Sequence, residues 1–145
     1  GEEHGVHYYF ISDEEFLQLI KEDKFVEWEE VYAGTHYGTL VSEVDRVTSE
    51  GRNLILDIDV KGGVNVKERF GEEALSLFIM PPSVDELGKR LRGRATDSEE
   101  TILKRLAKAE FEIGFAPQYD TVIVNDDLDT AVEEVRSAIL SFVTR

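Results

Sequence analysis

One stretch constrains the fold of this chain more than any other: Asn53-Leu-Ile-Leu-Asp-Ile-Asp-Val60, an almost unbroken apolar run that closes on two carboxylates. A strand with one wet face alternates apolar and polar residues. A near-continuous apolar run instead predicts a strand covered on both faces, as in a parallel sheet flanked by helices. Parallel neighbours can be joined only by long crossovers, so such a strand demands helices between strands. Asp57 and Asp59 fall at the carboxyl end of the run, where open parallel sheets bind their ligands. Alternation puts both on one side of the strand, facing one crevice. The plainer alternative, a strand end meeting solvent, is the weaker reading for two carboxylates that close a Leu-Ile-Leu run.

The rest of the chain supplies the alternation of elements. His7–Ile11 reads as a short strand, and Ser12 with Glu15 forms a capping box that opens a helix through Phe16, Leu17 and Ile20. Phe25–Val31 mixes aromatic and β-branched residues and predicts a strand, followed by a loop at Gly34-Thr-His-Tyr-Gly38. Thr39 can cap a helix running through Leu40, Val44 and Val47 to a stop at Gly51. After the central run come Gly62-Gly63 with a helix to Phe70, a buried strand Leu75–Met80 ended by Pro81-Pro82, and a second capping box at Ser83 and Glu86. A helix from about Ser98 to Ala116 leads to a strand over Asp120–Val124, and Asn125-Asp126-Asp127 caps a last amphipathic helix through Leu128, Val132, Val135 and Leu140. Strand and helix in turn predict an α/β fold with a parallel sheet, and 145 residues suffice for one compact domain.

The net charge of −15 argues against a surface built for nucleic acid or anionic membrane. The absence of cysteine rules out a disulfide framework or thiolate metal site without fixing the compartment. With no signal-peptide pattern and no apolar run of about 18 residues, a cytoplasmic protein is expected. His4, His7 and His36 show no metal-ligand spacing, and Trp28 is expected in the core. Any anionic ligand must be met by a local basic patch. One exists: Arg90, Arg92, Arg94, Lys104 and Arg105 gather around Gly93-Arg94-Ala95-Thr96. Its bland reading is a helix face salt-bridged to Glu99, Glu100 and Glu110.

Five segments, in their order and spacing, resemble the guanylate kinase family: Gly1-Glu2 with Gly5 and Tyr8; Phe25-Val-Glu-Trp28 with Tyr37-Gly38-Thr39; Asp57-Ile-Asp59 with Gly62; Pro81-Pro-Ser83 with Arg90-Leu-Arg-Gly-Arg94 and Thr96; and Val124-Asn-Asp-Asp-Leu128. The resemblance runs from Gly1 to the last helix. It implies an α/β fold with a P-loop NTPase-like parallel sheet core and helices, a mixed-strand GMP-binding insertion and a helical lid. Residues 1–145 would form a single guanylate-kinase-like domain, with 1–40 binding GMP, 41–84 and 119–145 the core, and 85–118 the lid. The implied activity is reversible phosphorylation of GMP by ATP, in line and direct, with Mg2+ bridging the donor phosphates and no covalent intermediate or general base. The expected partners are GMP and ATP, with no nucleic acid and no membrane, and the expected assembly is a monomer or homodimer. Two departures stand out. The phosphate loop G-x-x-x-x-G-K-[ST], which in the family precedes the position of Gly1, is not among these residues, so the sequence is expected to begin inside the true protein. Ala95 stands where the family usually has glycine, a change in size expected to matter little.

The resemblance also implies roles for single residues. Glu27 would accept from the guanine N1–H and 2-amine; adenine presents an acceptor at N1 and would leave that carboxylate unpaired. Asp59 would complete guanine recognition, and Asp57 would sit nearer the phosphates and magnesium. Tyr8 and Tyr37 would donate to the substrate phosphate, Thr39 would reach the guanine O6, and Glu2 would stand at the pocket mouth. Arg90, Arg94 and Arg105 would form the lid's clamp on the transferring phosphoryl group, Arg94 also meeting ATP, while lid closure excludes water. Asn125 would contact the donor adenine. Without the resemblance, Glu27 is a solvated strand residue beside Glu29 and Glu30, the tyrosines are half-buried core, and Thr39 and Asn125 are helix caps. The rival of another class is a non-catalytic guanylate-kinase-like binding module or a truncated fragment. The retained nucleotide contacts favour the enzyme, and the absent phosphate loop favours the rival. A kinase for another nucleoside monophosphate is disfavoured by the paired acceptors Glu27 and Asp59.

Overall fold

The computed structural model describes residues 1–145, the side chain of Tyr32 excepted. The chain divides into two units, Gly1–Ile58 and Asp59–Arg145, which are taken in turn.

In the first unit, helix α1 spans Asp13–Lys21. It starts where the Ser12 hydroxyl accepts from the Glu15 N–H at 3.1 Å, and Asp13, Glu14 and Glu15 line the positive end of its dipole. Strands β1 (Phe25–Tyr32) and β2 (Thr35–Leu40) form an antiparallel hairpin. The hairpin turns at Ala33-Gly34, and the Gly34 N–H donates to Glu30 Oε1 at 2.8 Å. Phe16 of α1 packs on this hairpin, its ring 4.4 Å from Phe25, 5.2 Å from His36 and 6.3 Å, edge-on, from Trp28. With Val26 and Val47, Phe16 and Phe25 are the buried apolar residues of this unit. Trp28 itself remains 46% exposed, so it flanks the core and does not fill it. Helix α2 follows over Val41–Ser49.

Several sequence expectations fail here for a common reason: a strand exists only where a neighbour completes its ladder. His7–Ile11 forms none beyond one isolated bridge between His4 and Tyr8. The chain reverses around Gly5 instead, and ring nitrogens take up its amides, Glu3 N–H donating to His7 Nδ1 and Phe10 N–H to His4 Nδ1, each at 3.0 Å. Most of the expected Gly34–Gly38 loop is strand β2. Thr39 lies on that strand and caps nothing; the cap position of α2 is Leu40, with no side-chain hydrogen bond. The Asn53–Val60 run is not a strand either. No described residue pairs with it, Leu54 is 37% and Ile55 78% exposed, and Val60 already belongs to the next helix.

In the second unit, helix α3 covers Val60–Phe70 and begins at Asp59, whose Oδ1 accepts from the Gly62 N–H at 2.8 Å. Strands β3 (Leu77–Met80) and β4 (Thr121–Val124) pair in parallel, Leu77 opposite Thr121 and Met80 opposite Val124. Between them run α4 (Val84–Gly93) and α5 (Glu99–Ile113), and α6 (Leu128–Val143) ends the chain. Oxygen caps stand at Ser83, Ser98 and Asp127. Phe78, Leu91, Ile102, Ala116, Ile123 and Ala131 are the buried apolar residues. Asp120, just before β4, accepts from the Ser76 N–H at 2.9 Å and pairs with Lys67 Nζ at 2.8 Å, tying α3 to both strands. Burial alone would raise the Asp120 carboxyl, but the hydrogen bonds from Lys67 and Ser76 outweigh it and hold it below its usual range. The antiparallel hairpin of the first unit and the parallel pair with its helices in the second make an α/β fold with a mixed-strand part. No helix of the described residues is long and apolar enough to cross a membrane.

Candidate functional site

The hairpin gathers four of the expected substrate residues of the first unit. Register places Glu27 opposite Thr39 and Glu29 opposite Tyr37, so Glu27, Tyr37 and Thr39 share a face by the two-residue period of the strand. The Thr39 hydroxyl donates to Glu27 Oε1 at 2.8 Å. Tyr8 stands edge-on to Tyr37 with ring centroids 5.5 Å apart, which joins it to the same group. Glu27 is only 9% exposed, whereas Glu30 is exposed. It is therefore not the solvated strand residue of the bland reading. Burying a carboxylate is costly unless hydrogen bonds satisfy it, which gives the Thr39 contact its value and makes the position demanding of any ligand. Glu2 is exposed, and no contact joins it to the group.

The second unit holds Asp59, half-buried, as the cap of α3. Because Oδ1 is tied to the Gly62 N–H, the carboxylate's orientation follows the first turn of the helix. Sequence reasoning missed what anchors that turn. The Tyr119 hydroxyl donates to the Val60 carbonyl at 2.8 Å, and its ring stands edge-on to Phe78 at 5.2 Å. Burial, then the negative charges of Asp59 and Glu112, push the Tyr119 phenol above its usual range, keeping it a donor. Nothing in the sequence marked this tyrosine apart from its place before a strand. Asp57 belongs to the first unit, is exposed, and its carboxylate makes no bond with a described residue.

The basic patch resolves into unlike members. Arg90 is built into the fold: Nη1 donates to the Asn125 carbonyl at 2.6 Å, Nη2 to the Asp126 carbonyl at 3.2 Å, and Nε pairs with Glu86 at 3.3 Å. Arg92 makes a two-pronged pair with Glu99 at 2.7 and 3.2 Å, and the hydrogen bond from Arg92 holds the Glu99 carboxyl below its usual range. Lys104 meets Glu100 at 3.4 Å. Arg105 pairs at 3.5 Å with Asp97, which the sequence did not single out, and not with Glu110. Arg94 is exposed and its side chain pairs with no described residue. Next to it, Ala95 adopts φ 53, in the left-handed region that glycine enters freely. The alanine therefore carries backbone strain that its small size does not relieve. Asn125 donates its N–H to the Met80 carbonyl at 2.7 Å and accepts from Arg90 through its own carbonyl. Its side-chain amide bonds to no described residue.

The sequence model of the family Guanylate kinase matches residues 1–142. A guanylate kinase of Bacteroides fragilis is 51% identical over 143 residues, covering 99% of this chain and 70% of the relative. One of Porphyromonas gingivalis is 51% identical over 144 residues, with 99% and 77% covered. Among solved structures, the crystal structure of guanylate kinase from Anaplasma phagocytophilum matches with a TM-score of 0.71 at 34% identity, over 100% of this chain and 70% of that one.

Proposed function

The chain belongs to the guanylate kinase family, nucleoside monophosphate kinases that phosphorylate GMP with ATP, and from that premise we propose which of its residues do the work. The observation that carries the assignment is Glu27: a carboxylate 9% exposed, on a hairpin, opposite a hydroxyl that is bonded to it. On its pairing edge guanine presents two adjacent donors, N1–H and the 2-amine, which match one carboxylate, and one acceptor, O6. When these donors reach Glu27, the Thr39 proton is released from its bond to Glu27 and turns to O6. Adenine offers Glu27 no matching pair, so the buried carboxylate rejects it. Asp59 takes part in base recognition, Tyr37 and Tyr8 donate to the substrate phosphate, and Glu2 serves GMP binding at the mouth of its pocket.

Phosphoryl transfer demands little covalent help, so positioning and charge carry the rate. Arg94, unpaired among the described residues, is the principal clamp of a lid over 85–118. Arg105 joins it by giving up a long pair with Asp97. Arg90 contributes through the turn that presents Asn125 to the donor base. No cluster of three or more metal-binding side chains exists among the described residues. Asp57, one exposed oxygen ligand, suits magnesium, which keeps most of its water and is shared with substrate phosphates. The ion would neutralise charge on the phosphates being split, with Asp57 orienting its shell. The enzyme acts in purine nucleotide metabolism, in the cytoplasm, as a monomer or homodimer.

The test is nucleotide-diphosphate formation from ATP and magnesium by the full-length protein, with GMP and then AMP. Turnover with GMP and at least about a hundredfold less kcat/KM with AMP is the expected result. Equal use of both bases would refute the roles given to Glu27 and Asp59.

A further inference from the structure

We propose that Tyr119 is a positioning residue for guanine recognition: its hydroxyl anchors the first turn of α3 and thereby aims Asp59. The inference rests on the assignment of Asp59 to the base. Asp59 cannot choose its orientation freely, because Oδ1 holds the Gly62 N–H at 2.8 Å, leaving the other oxygen to point wherever the helix start points it. That start is fixed from outside the helix. Tyr119 donates to the carbonyl of Val60, the residue next to Asp59.

The fit around the hydroxyl is close. A Cβ on Gly63 would lie 2.2 Å from the Tyr119 oxygen and 2.9 Å from its Cζ, so any side chain at 63 would expel the phenol. The ring in turn is held edge-on by Phe78, itself 6% exposed. The residue after the tyrosine, Asp120, pairs with Lys67 near the far end of α3. Tyr119-Asp120 therefore grips one helix at two points, and only the tyrosine grip lies at the carboxylate. Removing the hydroxyl should loosen the aim of Asp59 while leaving the second grip intact.

The test compares three variants of the full-length protein: Tyr119→Phe, Gly63→Ala and Asp59→Asn. Tyr119→Phe is expected to raise KM for GMP by about fivefold to tenfold, the size of one lost neutral hydrogen bond. The GMP-over-AMP preference should fall by a similar factor, with KM for ATP and kcat within about twofold of the parent. Gly63→Ala should give the same split, and the double variant should lose no more than the worse single one, since both act through one contact. Two results would overturn the positioning role alone: Tyr119→Phe leaving GMP and the base preference unchanged while Asp59→Asn impairs them, or Tyr119→Phe raising both KM values together with a lower Tm, which marks a purely structural tyrosine. If Asp59→Asn itself leaves GMP untouched, the base assignment of Asp59 is refuted and the positioning role goes with it.

Discussion

The β1–β2 hairpin and the α4–α5 helix pair treat charge in opposite ways. On the hairpin a single carboxylate, Glu27, is almost buried and is met by the neutral hydroxyl of Thr39. On the helix pair, Arg92, Lys104 and Arg105 stand at the surface against exposed or half-exposed carboxylates, and Arg94 meets none of the described residues. The physics of the two settings differs. A buried acceptor is expensive to leave unmatched, so it discriminates strongly between ligands. An exposed ion pair is worth little in water and is cheaply exchanged for a phosphate. On the proposed assignment, base selectivity rests on a buried carboxylate, and charge for the reacting phosphates on arginines at the surface.

The sharpest way to break this comparison is at the arginines. Arg94→Ala should lower kcat by about a hundredfold to a thousandfold if it stabilises the transferring group, measured by steady-state kinetics. Arg92→Ala, which loses only a surface pair with Glu99, should stay within about threefold. Equal losses would mean that the helix pair acts as a uniform cationic field. Next in size, Glu27→Gln should cut kcat/KM for GMP by about tenfold to a hundredfold and raise the relative use of AMP, seen by assaying the two bases side by side. A loss confined to kcat would move Glu27 from selectivity to chemistry.

The smaller tests concern stability. Ala95→Gly relieves the left-handed backbone at the helix pair and should stabilise by about 1 kcal/mol, raising Tm by about 2–4 °C in a thermal melt. Asp120 offers the intermediate case of a half-exposed pair with Lys67. Its carboxyl is held below the usual value, so its contribution is complete above the unfolded-state value and is lost as pH falls through the folded one. Tm measured from neutral pH downward should therefore fall, and Asp120→Asn should flatten that fall while lowering Tm at pH 7.

Much of this was legible in the sequence. The caps at Ser12, Ser83 and Asp127 and the helices they open follow from local chemistry, because a cap is a contact over three residues, while the strands β3 and β4 follow from their apolar runs. What depended on partners distant in the chain was not legible. Glu27 and Thr39 meet only through hairpin register, Arg105 finds Asp97 across a helix start, and the Arg90 guanidinium lands on carbonyls 35 and 36 residues away. The aromatic run from His7 to Ile11 has the composition of a strand, yet two histidine nitrogens satisfy its turn instead. At Ala95 the backbone φ decides, and φ is not a property that side-chain volume reveals.

The net charge of −15 bears on how the polypeptide behaves in a test tube. Like charge keeps copies apart. Colloidal behaviour should follow that repulsion: dilute salt at neutral pH favours dispersal, while strong salt, which screens it, or acid, which neutralises it, favours clumping.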